Sequence, residues 1–229
     1  MWQDSDLRQV FAACMTLSLA TGVFSVSFGV TAVGAGASVA QTCVMSLTVF
    51  TGASLFSAVS VIGAGGSAVS AFGGAALLAA RNAVYGLAMA PHLKGRLATR
   101  LLAAQLTIDE STAMAAAQTD EDHRRAAFWI TGLSIYLFWN LGTLIGAILG
   151  SAIDPKTYGL DAAFPAAFVA MVWPLLRERR SFYAAAIGAT LCLALIPFTP
   201  VGVPILCAVL GVVVGIPSPS STERHEAEQ

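Results

Sequence analysis

Arg81 carries the most unusual chemistry in the chain. It lies inside Ser67–Ala90, a stretch with no other charge and long enough to cross a bilayer. A guanidinium does not lose its proton in a protein. Placing one at membrane depth costs about 2.5–3.5 kcal/mol on insertion scales. Such a residue faces a cavity, a partner or a ligand. Three roles fit Arg81: a clamp on a substrate carboxylate, a partner for Asp109 or Glu110, or a side chain snorkelling to an interface. Asn82 beside it serves any of these.

Two further groups belong with Arg81. Thr51, Gly52, Ser54 and Ser57 place polar and flexible residues in the middle of the second apolar segment. Glycine there permits unwinding, and the freed amides and carbonyls suit a zwitterion. The same small residues also permit close helix packing. Asp109 and Glu110 end an apolar run. They read either as carboxylates in a low-dielectric cavity, able to carry a proton, or as the start of a solvated loop. Asp161 precedes Phe164-Pro165 at an expected helix start, where a carboxylate caps free amides.

The elements that must position these residues follow from composition. Of 229 residues, 56% are hydrophobic and 11% charged, with a mean hydropathy of +0.74. Soluble domains carry roughly 25% charged residues. The balance predicts an all-α, polytopic transmembrane bundle. Apolar stretches at about 9–31, 38–62, 68–90, 126–150, 161–176, 182–198 and 201–216 suggest seven spans with broken or re-entrant helices. The first is too long and too acidic at its start for a signal peptide. Residues 1–216 read as a single transmembrane domain and 217–229 as a disordered polar tail. Residues 101–118 fit either a short helix lining a cavity or an interfacial helix. If they do not cross, Lys94, Arg96, Arg100, Arg124, Arg125, Arg177, Arg179 and Arg180 share one side of the membrane. That topology leaves the N-terminus outside, whereas a re-entrant second segment turns it inside.

Small residues organise the packing. Gly142, Gly146 and Gly150 recur every fourth position and so share one helical face, which lets another helix approach. That helix could come from this chain or from a partner.

Several classes of chemistry are excluded. A formal charge of -1 gives no basic face for nucleic acid. There is no P-loop pattern and no Gly-x-Ser-x-Gly or His-Glu-x-x-His. His92, His123 and His225 all fall in expected loops or the tail, so no serine–histidine pair forms at membrane depth. Cys14, Cys43, Cys192 and Cys207 lack metal-type spacing and read as small buried residues. No catalytic residue, metal or cofactor is expected.

Several segments together resemble the AzlC family. Trp139-Asn140-Leu141-Gly142-Thr143, with Gly146 and Gly150, is similar to its W-x-x-G-T-x-x-G-x-x-x-G signature. Gly159-Leu160-Asp161, followed by Phe164-Pro165-Ala166-Ala167-Phe168, resembles its G-L-D-F-A-F-P-A-x-F segment. Phe50-Thr51-Gly52-Ala53-Ser54, Arg81 to Tyr85, and the Asp109-Glu110 pair match further segments. Ser54 stands where the family often has Gln, and Ala79 where it has Asn. The resemblance implies export of branched-chain amino acids (valine, leucine, isoleucine, with methionine as a further cargo) across the bacterial inner membrane. It also implies a small AzlD-type membrane partner. The resulting expectation is a secondary transporter without its own ATPase, using Thr51, Gly52, Ser54, Arg81 and Asn82 for substrate. Asp109, Glu110 and Asp161 would serve as coupling or structural charges. The competing expectation is a membrane subunit that scaffolds a partner without transporting.

Overall fold

The computed structural model describes residues 4–152, 166, 169, 172, 173 and 175–211. All regular structure among them is helical. Contacts divide the chain into two compact units, residues 1–164 and 165–229.

The first unit holds α1 (Asp4–Gly34), α2 (Val39–Val49), α3 (Gly52–Gly63), α4 (Ala68–Met89), α5 (Leu97–Gln105), α6 (Asp109–Ala116) and α7 (Glu121–Ala152). The second holds α8 (Arg179–Leu195) and α9 (Val203–Ala208), each flanked by a short 3-10 turn. Gly188 and Gly211 let the elements of this unit approach at backbone distance. Asp161, the segment around it and the tail 217–229 lie outside the described residues.

α1 and α7 form the central seam. A Cβ on Gly142 would overlap the carbonyl oxygen of Gly22, and one on Gly146 that of Val26. One on Gly150 would lie 2.8 Å from Val30 Cα. Real Cβ atoms do not sit at such distances from backbone, so the two helices touch main chain to main chain. The glycine face of α7 is therefore occupied by α1 of the same chain. Ser18 and Ser134 hydroxyls, 2.7 Å apart, add a hydrogen bond across the seam.

Residues inside and outside are inverted relative to a soluble protein. Ser18, Ser25, Thr42, Ser46, Ser111, Thr131 and Thr143 are fully buried. Val69, Phe72 and Leu87 on α4 are each at least 75% exposed, and α7 turns out a row of leucines and isoleucines. Contiguous apolar surface on this scale marks contact with lipid or partner. Two helices, Arg8–Gly34 and Glu121–Ala152, have the length and apolar character of membrane spans. α4 is shorter at 22 residues but still long enough to span, and Arg81, Asn82 and three glycines dilute its apolar character.

Two expected segments are divided. The apolar stretch 38–62 is the pair α2 and α3, of 11 and 12 residues. The ambiguous stretch 101–118 is covered by α5 and α6, of nine and eight residues, joined by an elbow at 106–108. At 1.5 Å per residue none of these four is long enough to cross about 30 Å of hydrocarbon alone. α6 buries Ser111 and Ala115, whereas α5 exposes Leu97, Leu101 and Leu102.

Candidate functional site

The site is built around the break between α2 and α3. Phe50 ends α2 in the left-handed region (φ 30°, ψ 50°) and Thr51 is extended. A non-glycine residue there costs on the order of 1–3 kcal/mol. Burial of Phe50 and an edge-on contact with the Tyr136 ring, centroids 4.9 Å apart, hold it in place.

The two ends at the break are treated differently. The last carbonyls of α2 are satisfied from outside the helix. Tyr136 Oη donates to Leu47 O at 3.0 Å. Gln105 Nε2 reaches Leu47 O at 3.2 Å and Thr48 O at 3.3 Å. The first amides of α3 have no carbonyl one turn behind them, and the Thr51 side chain does not cap them. A helix N-terminus carries about half a positive charge. Here it sits among buried residues: Thr51, Ala53 and Ser54 are all nearly inaccessible.

Arg81 stands level with this end. α3 and α4 are joined by a short loop and run antiparallel. They meet where a Cβ on Gly74 would lie 3.1 Å from Ser57 Oγ. From that point, seven residues of α4 span about 10 Å and five of α3 span about 8 Å. The first count ends at Arg81 and the second at Gly52. Arg81 Nη1 lies 2.6 Å from Asp109 Oδ2, so Asp109 rather than Glu110 is its ion-pair partner. Arg81 Nε is buried and makes no hydrogen bond. The guanidinium thus contacts Asp109 through Nη1 and leaves its buried Nε without a hydrogen bond. The elbow that carries Asp109 is fixed by Ser111, whose hydroxyl accepts from Ile108 N and donates to Leu106 O.

α7 closes the site. A Cβ on Gly52 would lie 2.8 Å from Trp139 Cη2, so the indole rests against the start of α3 only because residue 52 lacks a side chain. Behind it, Phe24, Phe28, Phe56 and Trp139 form an aromatic cluster with centroid distances from 5.3 to 6.4 Å. Ser46 donates to Asn140 Oδ1 at 2.8 Å and lies 3.2 Å from Thr143 Oγ1, tying α2 to α7.

Buried polar atoms without partners gather on these elements. They include Ser54 Oγ, Ser57 Oγ, Asn82 Oδ1, Thr112 Oγ1 and Trp139 Nε1, in addition to Arg81 Nε. Leaving a buried donor or acceptor unpaired costs about 1–3 kcal/mol. Each of these atoms is sealed from solvent, and they lie on the elements that adjoin the break. Among the described residues, no cluster of His, Cys, Asp and Glu could hold a metal ion.

Thr51, Gly52 and Ser54 therefore lie at the break, and Arg81 with Asp109 beside it. Asn82 and Glu110 are their half-buried chain neighbours. Gly142, Gly146 and Gly150 belong to the seam instead. Sequence reasoning did not single out Gln105, Tyr136, Trp139, Asn140 or Ser46. Trp139 and Asn140 stand within a quoted motif, which was the available signal. Gln105 had none, because it reaches a backbone 57 residues away.

Such a molecule is a helical membrane protein whose polar core is formed at discontinuous helices, the arrangement by which transporters expose backbone to cargo. The family model described as AzlC protein matches residues 16–153. The chain belongs to the AzlC family. It is 27% identical over 216 residues to the "Branched-chain amino acid transport protein AzlC" of Bacillus subtilis, covering 92% of this chain and 82% of that one. It is 25% identical over 193 residues to an "Uncharacterized membrane protein" of Helicobacter pylori, covering 82% and 85%. No solved structure matches.

Proposed function

We propose that the chain is the transporting subunit of a branched-chain amino acid exporter in the bacterial inner membrane, and that the break between α2 and α3 is where the amino acid binds. The observation that carries this reading is the asymmetry of the break. The cation-attracting end of α2 is already bonded to Gln105 and Tyr136, while the anion-attracting end of α3 is open beside Arg81. On this reading the cargo carboxylate is held by α3 amides and the Nε edge of Arg81 once the break opens to admit it. Ser54 Oγ and Trp139 Nε1 supply further polar contacts, and the aromatic cluster an apolar wall. The transfer of branched-chain cargo rests on the family and on the printed name of the Bacillus relative.

Asp109 competes with the substrate carboxylate for Arg81. Exchange of Asp109 for the cargo carboxylate at Arg81 needs no ATPase. Rearrangement of the half-helices around a fixed site then supplies alternating access. A small, separately encoded AzlD-type membrane protein completes the system. Its docking face is not the Gly142/Gly146/Gly150 ridge, which α1 covers. That occupancy also removes the main support for a purely scaffolding role.

The test is flux. Cells lacking the chain, fed dipeptides of valine, leucine or isoleucine, are expected to accumulate the free amino acids, and expression with the partner should relieve this. Unchanged intracellular levels across deletion and overexpression would overturn the reading. Purified chain transporting at full rate without a partner would overturn only the two-component part.

A further inference from the structure

A second site lies away from the break. The end of α4, the following loop and α5 enclose an open pocket of about 550 Å³. Met89 and Ala103, both buried, form its floor. Its charged lining residues are Lys94 and Arg100, both exposed, and no carboxylate lines it. Neither cation makes an ion pair among the described residues. Leu97 and Leu101 also line the pocket, one helical turn apart, and are 71% and 62% exposed. A short helix with exposed leucines beside unpaired cations has the pattern of an element lying in a membrane interface.

We propose that this pocket binds an anionic phospholipid, with the phosphate between Lys94 and Arg100 and an acyl chain along Leu97 and Leu101. Charge complementarity selects the headgroup, since basic pockets beside membrane helices attract anionic lipid. The apolar floor and the leucine stripe require an attached hydrocarbon, which free phosphate lacks. The inference is independent of the cargo, because no residue of the pocket belongs to the break.

The site is tested on the full chain purified in mild detergent and placed in nanodiscs of phosphatidylcholine with a minor fraction of phosphatidylglycerol. Native mass spectrometry reads the lipid retained. Wild type is expected to hold phosphatidylglycerol in preference to phosphatidylcholine. The double variant Lys94→Ala/Arg100→Ala should lose that preference by about tenfold or more. Both side chains are exposed, so the variant should remain monodisperse. Arg96→Gln, which neutralises a nearby cation outside the pocket, should keep the preference. An equal loss in Arg96→Gln would show diffuse surface charge and overturn the site, as would retention of phosphatidylcholine just as firmly. Undiminished preference in the double variant, or a co-purifying polypeptide that displaces the lipid, would overturn it too.

Discussion

The seam between α1 and α7 and the break between α2 and α3 use the same small residues for opposite ends. At the seam, glycine removes side chains so that backbones touch, and the α1 hydroxyls of Ser18 and Ser25 each find a carbonyl or another hydroxyl. At the break, glycine admits an indole, the start of α3 has no side-chain cap, and several buried side-chain atoms have no partner. The first region is complete without anything added. The second, on the proposed function, is completed by a polar guest. Stability should therefore reside in the seam and activity in the break, and substitutions can separate the two.

The largest effect is expected from Gly146→Leu. Its side chain would enter the backbone of α1 at Val26, which goes beyond ordinary overpacking and should cost about 3 kcal/mol or more. Yield of monodisperse protein in detergent should collapse. Gly86→Ala is the contrasting control. Gly86 lies within α4 with nothing within 4 Å of an added Cβ, so alanine there should be tolerated or raise Tm. A well-behaved Gly146→Leu protein would break the comparison at its stable end.

Next in size is Arg81→Ala. Transport should fall about 10- to 100-fold, equivalent to ~1.5–3 kcal/mol for a hydrogen bond to a charged group. Membrane insertion should be unharmed, since an intramembrane charge is lost. Arg81→Lys keeps the charge without the planar fork and should also transport poorly. Arg81→Ala/Asp109→Ala should recover any expression lost in the single variants, because no lone charge remains, yet stay inactive. Wild-type flux from well-expressed Arg81→Ala would leave only the snorkelling role.

Ser54→Ala sharpens the contrast. Its hydroxyl is buried and unpartnered, so removing it should leave Tm unchanged or higher. The KM for export should rise severalfold, as for loss of one neutral hydrogen bond of ~1 kcal/mol. A clear drop in Tm with unchanged KM would place this hydroxyl among the structural ones.

The smallest effect lies outside both regions. Asp120 Oδ1 accepts from the backbone amides of His123 and Asp122, and from the His123 ring, at the start of α7. The His123 amide, first among these, holds its carboxyl below the ordinary aspartate value. A carboxylate with a depressed folded pKa contributes stability above its unfolded value and loses it as pH falls through the folded one. Asp120→Ala should thus lower Tm slightly at pH 7, and the difference should close below about pH 4. A gap that persists in acid would mean that the aspartate acts without its charge.

Much of this was legible in the sequence because the signals are local. Arg81 stands out against an uncharged span, Asp109 is an acid at the end of an apolar run, and glycines four apart share a face whatever they meet. What the glycines meet was not legible. The same spacing suits an internal helix or a partner, and the choice of α1 depends on contacts more than a hundred residues away in sequence. The break was expected from Gly52, but the residue that turns the chain is Phe50, an aromatic held by Tyr136 against its own preference. The capping of α2 by Gln105 and Tyr136 was illegible for a similar reason. A side chain that reaches a distant carbonyl leaves no mark on the residues around either partner.

The glycine seam also constrains how the gene can change. Each residue added to a helix rotates everything after it by about 100° and advances it 1.5 Å. One codon inserted between Gly142 and Gly150 would carry Gly150 off the face that meets Val30 and bring a branched side chain against the α1 backbone. Lineages descended from this chain should accept insertions and deletions in the loops between helices, while α1 and α7 keep their lengths between the first and last contacting glycine.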